Sequence, residues 1–145
     1  MKNENFKFKI GQTSTLTAEQ LADRLLTFGA RVGTLVDALP DTRLGRHIAG
    51  QLVRSGTSPA PNYEEGRAAE SRQDFIHKLN ICLKELRESH VWLRLILKAK
   101  LLREQRLSKL IDECRQLSNI LGKSVVTAKR NKLKDRRSVS PPSST

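Results

Sequence analysis

The stretch SPAPNYEEG, Ser58–Gly66, decides how this chain folds. It sets two prolines, an Asn-Tyr pair and two glutamates between segments with helical apolar spacing. Three readings compete: a linker between domains, a cluster of catalytic acids, or a bend in a helix. Proline after serine favours a helical turn, because the N–H that Pro59 lacks would be unpaired in a first turn anyway. Pro61 falls in the same turn, and Gly66 is placed to close it as a C-cap. The segment therefore reads as the end of a second helix. Asn62 and Glu65 are expected to tie that last turn to neighbouring helices through backbone or arginine contacts.

Upstream, TAEQ offers Thr17 as an N-cap and Gln20 as the reciprocal residue of a capping box. Leu21, Leu25, Phe28, Val32, Leu35 and Leu39 follow at alternating spacings of four and three, a heptad stripe that Pro40 stops. A second helix starts at Asp41 or Thr42, with Leu44, Ile48 and Leu52 on one face. The small residues around them (Gly45, Ala49, Gly50, Ser55, Gly56) permit close helix approach.

Downstream, Ser71 caps a third helix with two adjacent stripes. One is Phe75, Leu79, Cys82, Leu86, Ser89, Leu93 and Ile96; the other is Ile76, Leu83, His90 and Leu97. Two stripes make the wide buried face of a bundle helix. Val91, Trp92 and Leu95 lie off both, and apolar residues on a third side point to a subunit interface. A turn at Lys100–Glu104 leads to a fourth stripe: Leu107, Leu110, Ile111, Cys114, Leu117, Leu121 and Val125. That helix is expected to fray near Ala128.

The fold class that follows is all-α, an up-down-up-down four-helix bundle over residues 16–128. Residues 1–15 read as a flexible N-terminal arm, and residues 129–145 as a disordered basic tail rich in Ser and Pro. A hairpin turning near residue 102 would separate Cys82 and Cys114 by about 12 Å along the axis. Two free, buried thiols are predicted.

The chain carries 27 Lys+Arg against 15 Asp+Glu, a formal charge of +12. Such an excess favours polyanionic partners. The uncompensated part is the run Lys123, Lys129, Arg130, Lys132, Lys134, Arg136 and Arg137, opposed only by Asp135. These residues are the candidate nucleic-acid contacts, whose binding would be strong, salt-dependent and unspecific; the equal alternative is that the run only solubilises the chain. One Trp and one Tyr leave almost no stacking platform for single strands. The N-terminus has no continuous apolar run, and no segment approaches the roughly 20 apolar residues of a membrane span. A cytoplasmic protein without membrane attachment is expected.

Glu64, Glu65 and Glu70 could in principle serve as acid and base or hold a metal. No Glu-x-x-His spacing accompanies them, and Arg54, Arg67 and Arg72 favour salt bridging instead. His47, His77 and His90 are scattered, and no phosphate loop or nucleophile–base arrangement is present. No catalytic residue, metal site or cofactor is predicted, and the protein reads as a non-enzyme.

From Pro40 through Leu97 the order of residues resembles a known family. Pro40, Gln51, Arg54, Ser55, Ser58, Asn62, Glu65, Gly66, Ser71, Phe75 and Glu85 stand at its pattern's spacing without a gap, followed by the apolar stretch Trp92–Leu97. The chain is similar over roughly residues 16–128 to the bacterial four helix bundle proteins. These are also known as intervening-sequence proteins of large-subunit ribosomal RNA genes, or the S23-like ribosomal protein family. Asn62, Glu65, Gly66, Ser71 and Phe75 carry the more specific part of the likeness, as a structural motif. Pro59, Tyr63 and Glu64 depart from the family pattern and are expected to kink the end of the second helix. The resemblance implies a left-handed bundle, often a homopentamer, and transfers no catalytic motif. Distant relatives bind a reverse transcriptase and nucleic acid. The function expected is a non-enzymatic, oligomeric bundle binding RNA or a ribonucleoprotein through basic surface and tail. The alternative is an interaction scaffold, or an accessory factor for a nucleic-acid enzyme such as a reverse transcriptase.

Overall fold

Thr17 starts the first helix as its spacing predicts. In a computed structural model, which describes residues 8–10 and 14–139, Thr17 Oγ1 accepts the Gln20 amide at 3.1 Å. The Gln20 side chain returns the bond to the Thr17 amide at 2.9 Å. Helix α1 (Ala18–Asp37) buries Leu21, Leu25, Phe28, Val32 and Leu35. Thr42 caps α2 (Arg43–Thr57) through the Gly45 amide. Ser71 caps α4 (Arg72–Lys98) through the Asp74 amide. Of the three residues expected on the inward face of α2, Ile48 and Leu52 are buried. Leu44 is instead 41% exposed, because Gly45 takes the inward position at that level.

Between α2 and α4 the Ser58–Gly66 stretch forms a helix of its own, α3 (Pro59–Arg67). Ser58 keeps helical angles, φ −71° and ψ −37°. The backbone turn is therefore continuous, while the missing amides of Pro59 and Pro61 interrupt the hydrogen-bond ladder. Gly66 is not the C-cap, which falls at Ala68. It lies inside α3, where a Cβ would stand 3.0 Å from Lys78 Cβ and 3.4 Å from Phe75 Cδ2. Close packing on α4, rather than helix termination, is what requires glycine there.

The fourth long helix, α5 (Glu104–Ser138), corrects the predicted fraying at Ala128 and the predicted tail. It continues through Lys129–Ser138. Lys and Arg are good helix formers, and cations suit a helix C-terminus. Asp135 also accepts from Arg72 Nε at 2.8 Å, fastening this end to the start of α4. Residues 140–145 of the expected tail lie outside the described residues. The stretch expected to be a flexible or docking arm contains two short strands. Strands β1 (Phe8–Ile10) and β2 (Ser14–Leu16) pair antiparallel, with Phe8 opposite Leu16. Three-residue strands are too short to leave a periodicity signal.

The helices pack as four rods around one apolar core, α2 and α3 forming a single broken rod. Contacts advance along α4 as they retreat along its neighbours. His47 meets Trp92, Ser55 meets Ser89, and Glu65 meets Lys78. On α5, Cys114 donates to Leu86 O at 3.2 Å, while Asp135 lies against Arg72. Every residue of the first predicted α4 stripe is buried. Among the described residues the buried polar ones are Ser55, Ser89 and Ser124, and each hydroxyl has a hydrogen-bond partner. The Ser55 and Ser89 oxygens are 2.9 Å apart, and Ser89 Oγ lies 2.9 Å from Glu85 O. Ser55 Oγ also lies 3.4 Å from Leu52 O, so each hydroxyl has a carbonyl within reach and the two share one hydrogen bond across the α2/α4 seam.

Helix α4 ends in a Schellman turn. The Leu101 amide reaches Ile96 O and the Lys100 amide reaches Leu97 O, both at 3.1 Å. Lys100 occupies the left-handed position of that turn, with φ 56°. A Cβ there costs about 1–2 kcal/mol, partly offset by the greater chain entropy of glycine in the unfolded state. Lys100→Gly should therefore stabilise the protein by about 1 kcal/mol, seen as a Tm increase of about 3 °C in thermal unfolding. In the other direction, a Cβ on Gly56 would lie 2.8 Å from both Val32 methyl groups. Gly56→Ala should cost about 1–3 kcal/mol in urea unfolding.

Candidate nucleic-acid interface

Nearly all of the net charge, +11 of the +12, falls in residues 75–145, the span of α4, α5 and the end of the chain. In sequence, the acids of α4 and α5 look able to offset it. The fold directs most of them elsewhere. Arg54 of α2 reaches across to both Glu85 and Glu88 of α4. Arg24 of α1 takes Glu113 with both an Nε and an Nη2 contact. Asp135 is drawn to Arg72. These acids are turned toward arginines at the inner seams, which leaves cations dominant on the outer face of α4 and α5.

On that face two adjoining concavities, of about 580 and 220 Å³, share Arg87, Ser118 and Asn119. The larger continues along α5 past Gly122 to Lys123, Val126 and Arg130. Gly122 opens its floor, since nothing lies within 4 Å of where a Cβ would be. His90 and Arg115 complete the smaller one. No carboxylate lines either. Ser118 Oγ donates to Cys114 O at 2.8 Å. Partial burial, then the charges of Arg94 and Arg115, hold the His90 imidazole below its usual pKa.

Lys123 and Arg130 line this groove. At 100° per residue, Lys134 and Arg137 follow Arg130 on the same side of α5. Lys129, Lys132 and Arg136 lie around the helix on another face. The groove also draws on Arg87, His90 and Arg115, whose place in it depends on how α4 lies against α5. No stretch of sequence brings them together.

The motif residues do structural work. Asn62 Nδ2 donates to Ser58 O and Oγ, both at 2.9 Å, so it braces the break within its own rod rather than a neighbouring helix. Glu65 does reach a neighbour, accepting from Lys78 Nζ of α4 at 2.6 Å rather than from an arginine. Phe75 is buried against the rod, and Ser71 opens α4. Of the acids considered for catalysis, Glu64 pairs with Arg67 and Glu70 is exposed. Among the described residues no group of His, Cys, Asp or Glu could hold a metal ion. Both cysteines are free and buried, as predicted.

At the expected subunit face, Val91 is 57% exposed, and Trp92 and Leu95 are half-buried. The Trp92 ring meets His47 edge-on at 5.8 Å. Its indole N–H is buried with no hydrogen-bond partner among the described residues.

A family model described as 23S rRNA-intervening sequence protein matches residues 21–123. The chain belongs to this family. A crystal structure of a protein with unknown function from the S23 ribosomal protein family of Bacteroides thetaiotaomicron VPI-5482 is similar to it, with a TM-score of 0.69 at 30% identity. The likeness covers 74% of this chain and 96% of that one. None of the curated proteins compared matches the chain. The intervening-sequence family span ends at Lys123, so the last turns of α5, with most of the basic run, lie beyond it.

Lys123→Glu with Arg130→Glu should release the protein from a heparin column at clearly lower salt than the unaltered chain. Arg31→Glu with Arg43→Glu, on α1 and α2, should shift elution much less. Equal shifts would show that only total charge matters.

Proposed function

We propose that this chain is a non-enzymatic, oligomeric helical bundle that binds RNA or a ribonucleoprotein through the outer face of α4 and α5 and its basic end. The observation that carries the reading is the diversion of Glu85, Glu88, Glu113 and Asp135 to arginines at the helix seams. A formal excess of positive charge becomes a face on which phosphates meet few carboxylates. Among the described residues of the helices every Phe, Tyr and Trp side chain is buried or half-buried, which makes phosphate neutralisation the main source of affinity in this reading. The intervening-sequence family name is in keeping with an RNA-linked role.

The finer architecture in this reading is an up-down-up-down, left-handed bundle, favoured by the opposed march of contacts along α4. The working compartment is the cytoplasm. Self-association, in a homopentamer by the resemblance, uses Val91, Trp92 and Leu95. The unsatisfied Trp92 N–H supports that contact, since a buried unpaired donor costs about 1–3 kcal/mol that an acceptor on a second subunit would recover.

A second reading has its own support. Between α1 and α3 lies a concavity of about 420 Å³, with Ala22, Leu26, Ala60 and Pro61 alongside the carboxylates of Glu19 and Asp23, free among the described residues, and the Glu64–Arg67 pair, a net acidic rim. An acidic rim around apolar residues suits a basic protein segment, as an accessory factor for a nucleic-acid enzyme would need. Pull-down from nuclease-treated lysate separates the readings, because only a direct protein partner survives loss of RNA.

RNA affinity should fall about tenfold or more between about 50 and 200 mM salt, with log K linear in log salt concentration. Absent or salt-insensitive binding of RNA in a filter assay overturns the RNA reading. Val91→Glu should lower the native mass in light scattering without changing helical content, and an unchanged mass removes Val91 from the subunit contact.

A further inference from the structure

We infer that the small concavity formed by Arg87, His90 and Arg115 is a seat for the terminal phosphomonoester of an RNA strand lying in the adjoining groove. The inference rests on the reading of the α4/α5 face as an RNA surface and adds a chemical end-group to it.

Two features set this concavity apart from the rest of the basic face. The first is convergence. Arg87 and His90 come from one turn of α4 and Arg115 from α5, and all three line a space of about 220 Å³ with Ser118 and Asn119. Two guanidinium groups, an imidazole and two small polar side chains can together meet the oxygens of one phosphate. Elsewhere the groove offers single cations spaced along a helix, which suits the single charges of internal phosphodiesters.

The second is that the groove ends there. Lys123, Arg130 and the cations that follow continue the positive face from Arg115 toward the C-terminus of α5. In the other direction the neighbour of Arg115 is Asp112. Its carboxylate accepts from Arg115 and Gln116, and those hydrogen bonds hold its pKa below the usual value. The concavity itself extends no further than His90 and Arg115 in that direction, and beyond it Arg115 is paired with Asp112. A strand in the groove would therefore finish beside Arg115. A chain end with a phosphomonoester carries up to a second negative charge that no internal phosphate has.

His90 makes the seat sensitive to protons. The charged groups near it are Arg87 and Arg94 on its own helix and Arg115 on α5, with Asp112 beyond Arg115. Glu113 is held away by Arg24. Partial burial, then the charges of Arg94 and Arg115, lower the imidazole's pKa, and it is neutral at pH 8. A phosphate dianion among these cations restores its proton. Binding thus takes up a proton, and affinity rises as pH falls from 8 toward 6.5. Below about pH 6 the phosphate loses its own second charge and the gain ends.

The test is fluorescence anisotropy of the full chain with one short oligoribonucleotide in three forms: 5′-phosphorylated, 3′-phosphorylated, and hydroxyl at both ends. One phosphorylated form should bind about tenfold more tightly than the hydroxyl form near pH 6.5, and the tighter form identifies which strand end is seated. Arg115→Gln should abolish that preference while leaving most of the affinity for the hydroxyl form. His90→Gln should remove the pH dependence of the preference, and Lys98→Gln, outside the concavity, should keep both. Equal, salt-dependent binding of all three forms overturns the terminal seat and leaves the RNA surface standing. Failure of every form to bind overturns both.

Discussion

Arg54 sits where the molecule divides its charge. It leaves α2 and meets Glu85 and Glu88 one turn apart on α4, while Arg24 and Arg72 do the same for Glu113 and Asp135. Arg54 is itself half exposed, and exposed ion pairs of this kind contribute about 1 kcal/mol or less to stability. Their larger effect is directional. Each pair fixes which side of a helix shows its acid to the seam and, by helical geometry, which side shows its bases to solvent. The character of the α4/α5 surface is thus set in large part by Arg24 and Arg54 on the opposite half of the molecule, with Arg72 of α4 itself holding Asp135.

That arrangement needs α4 held along its length, and α2 alone is too short to do it. The two prolines solve the problem by breaking the rod without ending it. At Ser58 the ladder is interrupted while the backbone stays helical, and α3 continues along the first turns of α4. Asn62 fills part of the gap by donating to Ser58. Glu65 and Gly66 then bring α3 onto Lys78 and Phe75, one by attraction and the other by making room. Tyr63, in the middle of α3, is fully buried. The core accepts a ring there without opening.

Much of this was legible in the sequence, for a local reason. Heptad stripes and capping residues act within a few positions, so Thr17, Thr42 and Ser71 and the apolar faces of α1, α4 and α5 could be read directly. The two free thiols followed from antiparallel levels alone. What could not be read depends on meetings between distant residues. Gly66 carries the same symbol whether it caps a helix or admits a neighbour, and only Phe75 and Lys78 distinguish the two. The basic run from Lys129 to Arg137 has the composition of a tail, while Arg72, more than 50 residues earlier, helps hold it as helix. Lys123 and Arg130 stood out as candidates because they lie in a charge run. Arg87 and Arg115 did not, since nearby acids seemed to cancel them until Arg54 and Arg24 drew Glu85, Glu88 and Glu113 away, leaving Asp112 on Arg115.

The cysteines carry one more consequence. Each thiol donates to a main-chain carbonyl, Cys82 to Pro59 and Cys114 to Leu86, and burial pushes both up to about 12. At neutral pH neither forms the thiolate that alkylating reagents and oxidants need. They occupy two levels of the core, one beneath the α2/α3 break and one in the α4/α5 seam. While the protein is folded it is chemically silent at sulfur, and any thiol reactivity must come from opening of the bundle. The rates at which the two sulfurs become reactive would then time the loosening of each level, with no foreign label in the fold.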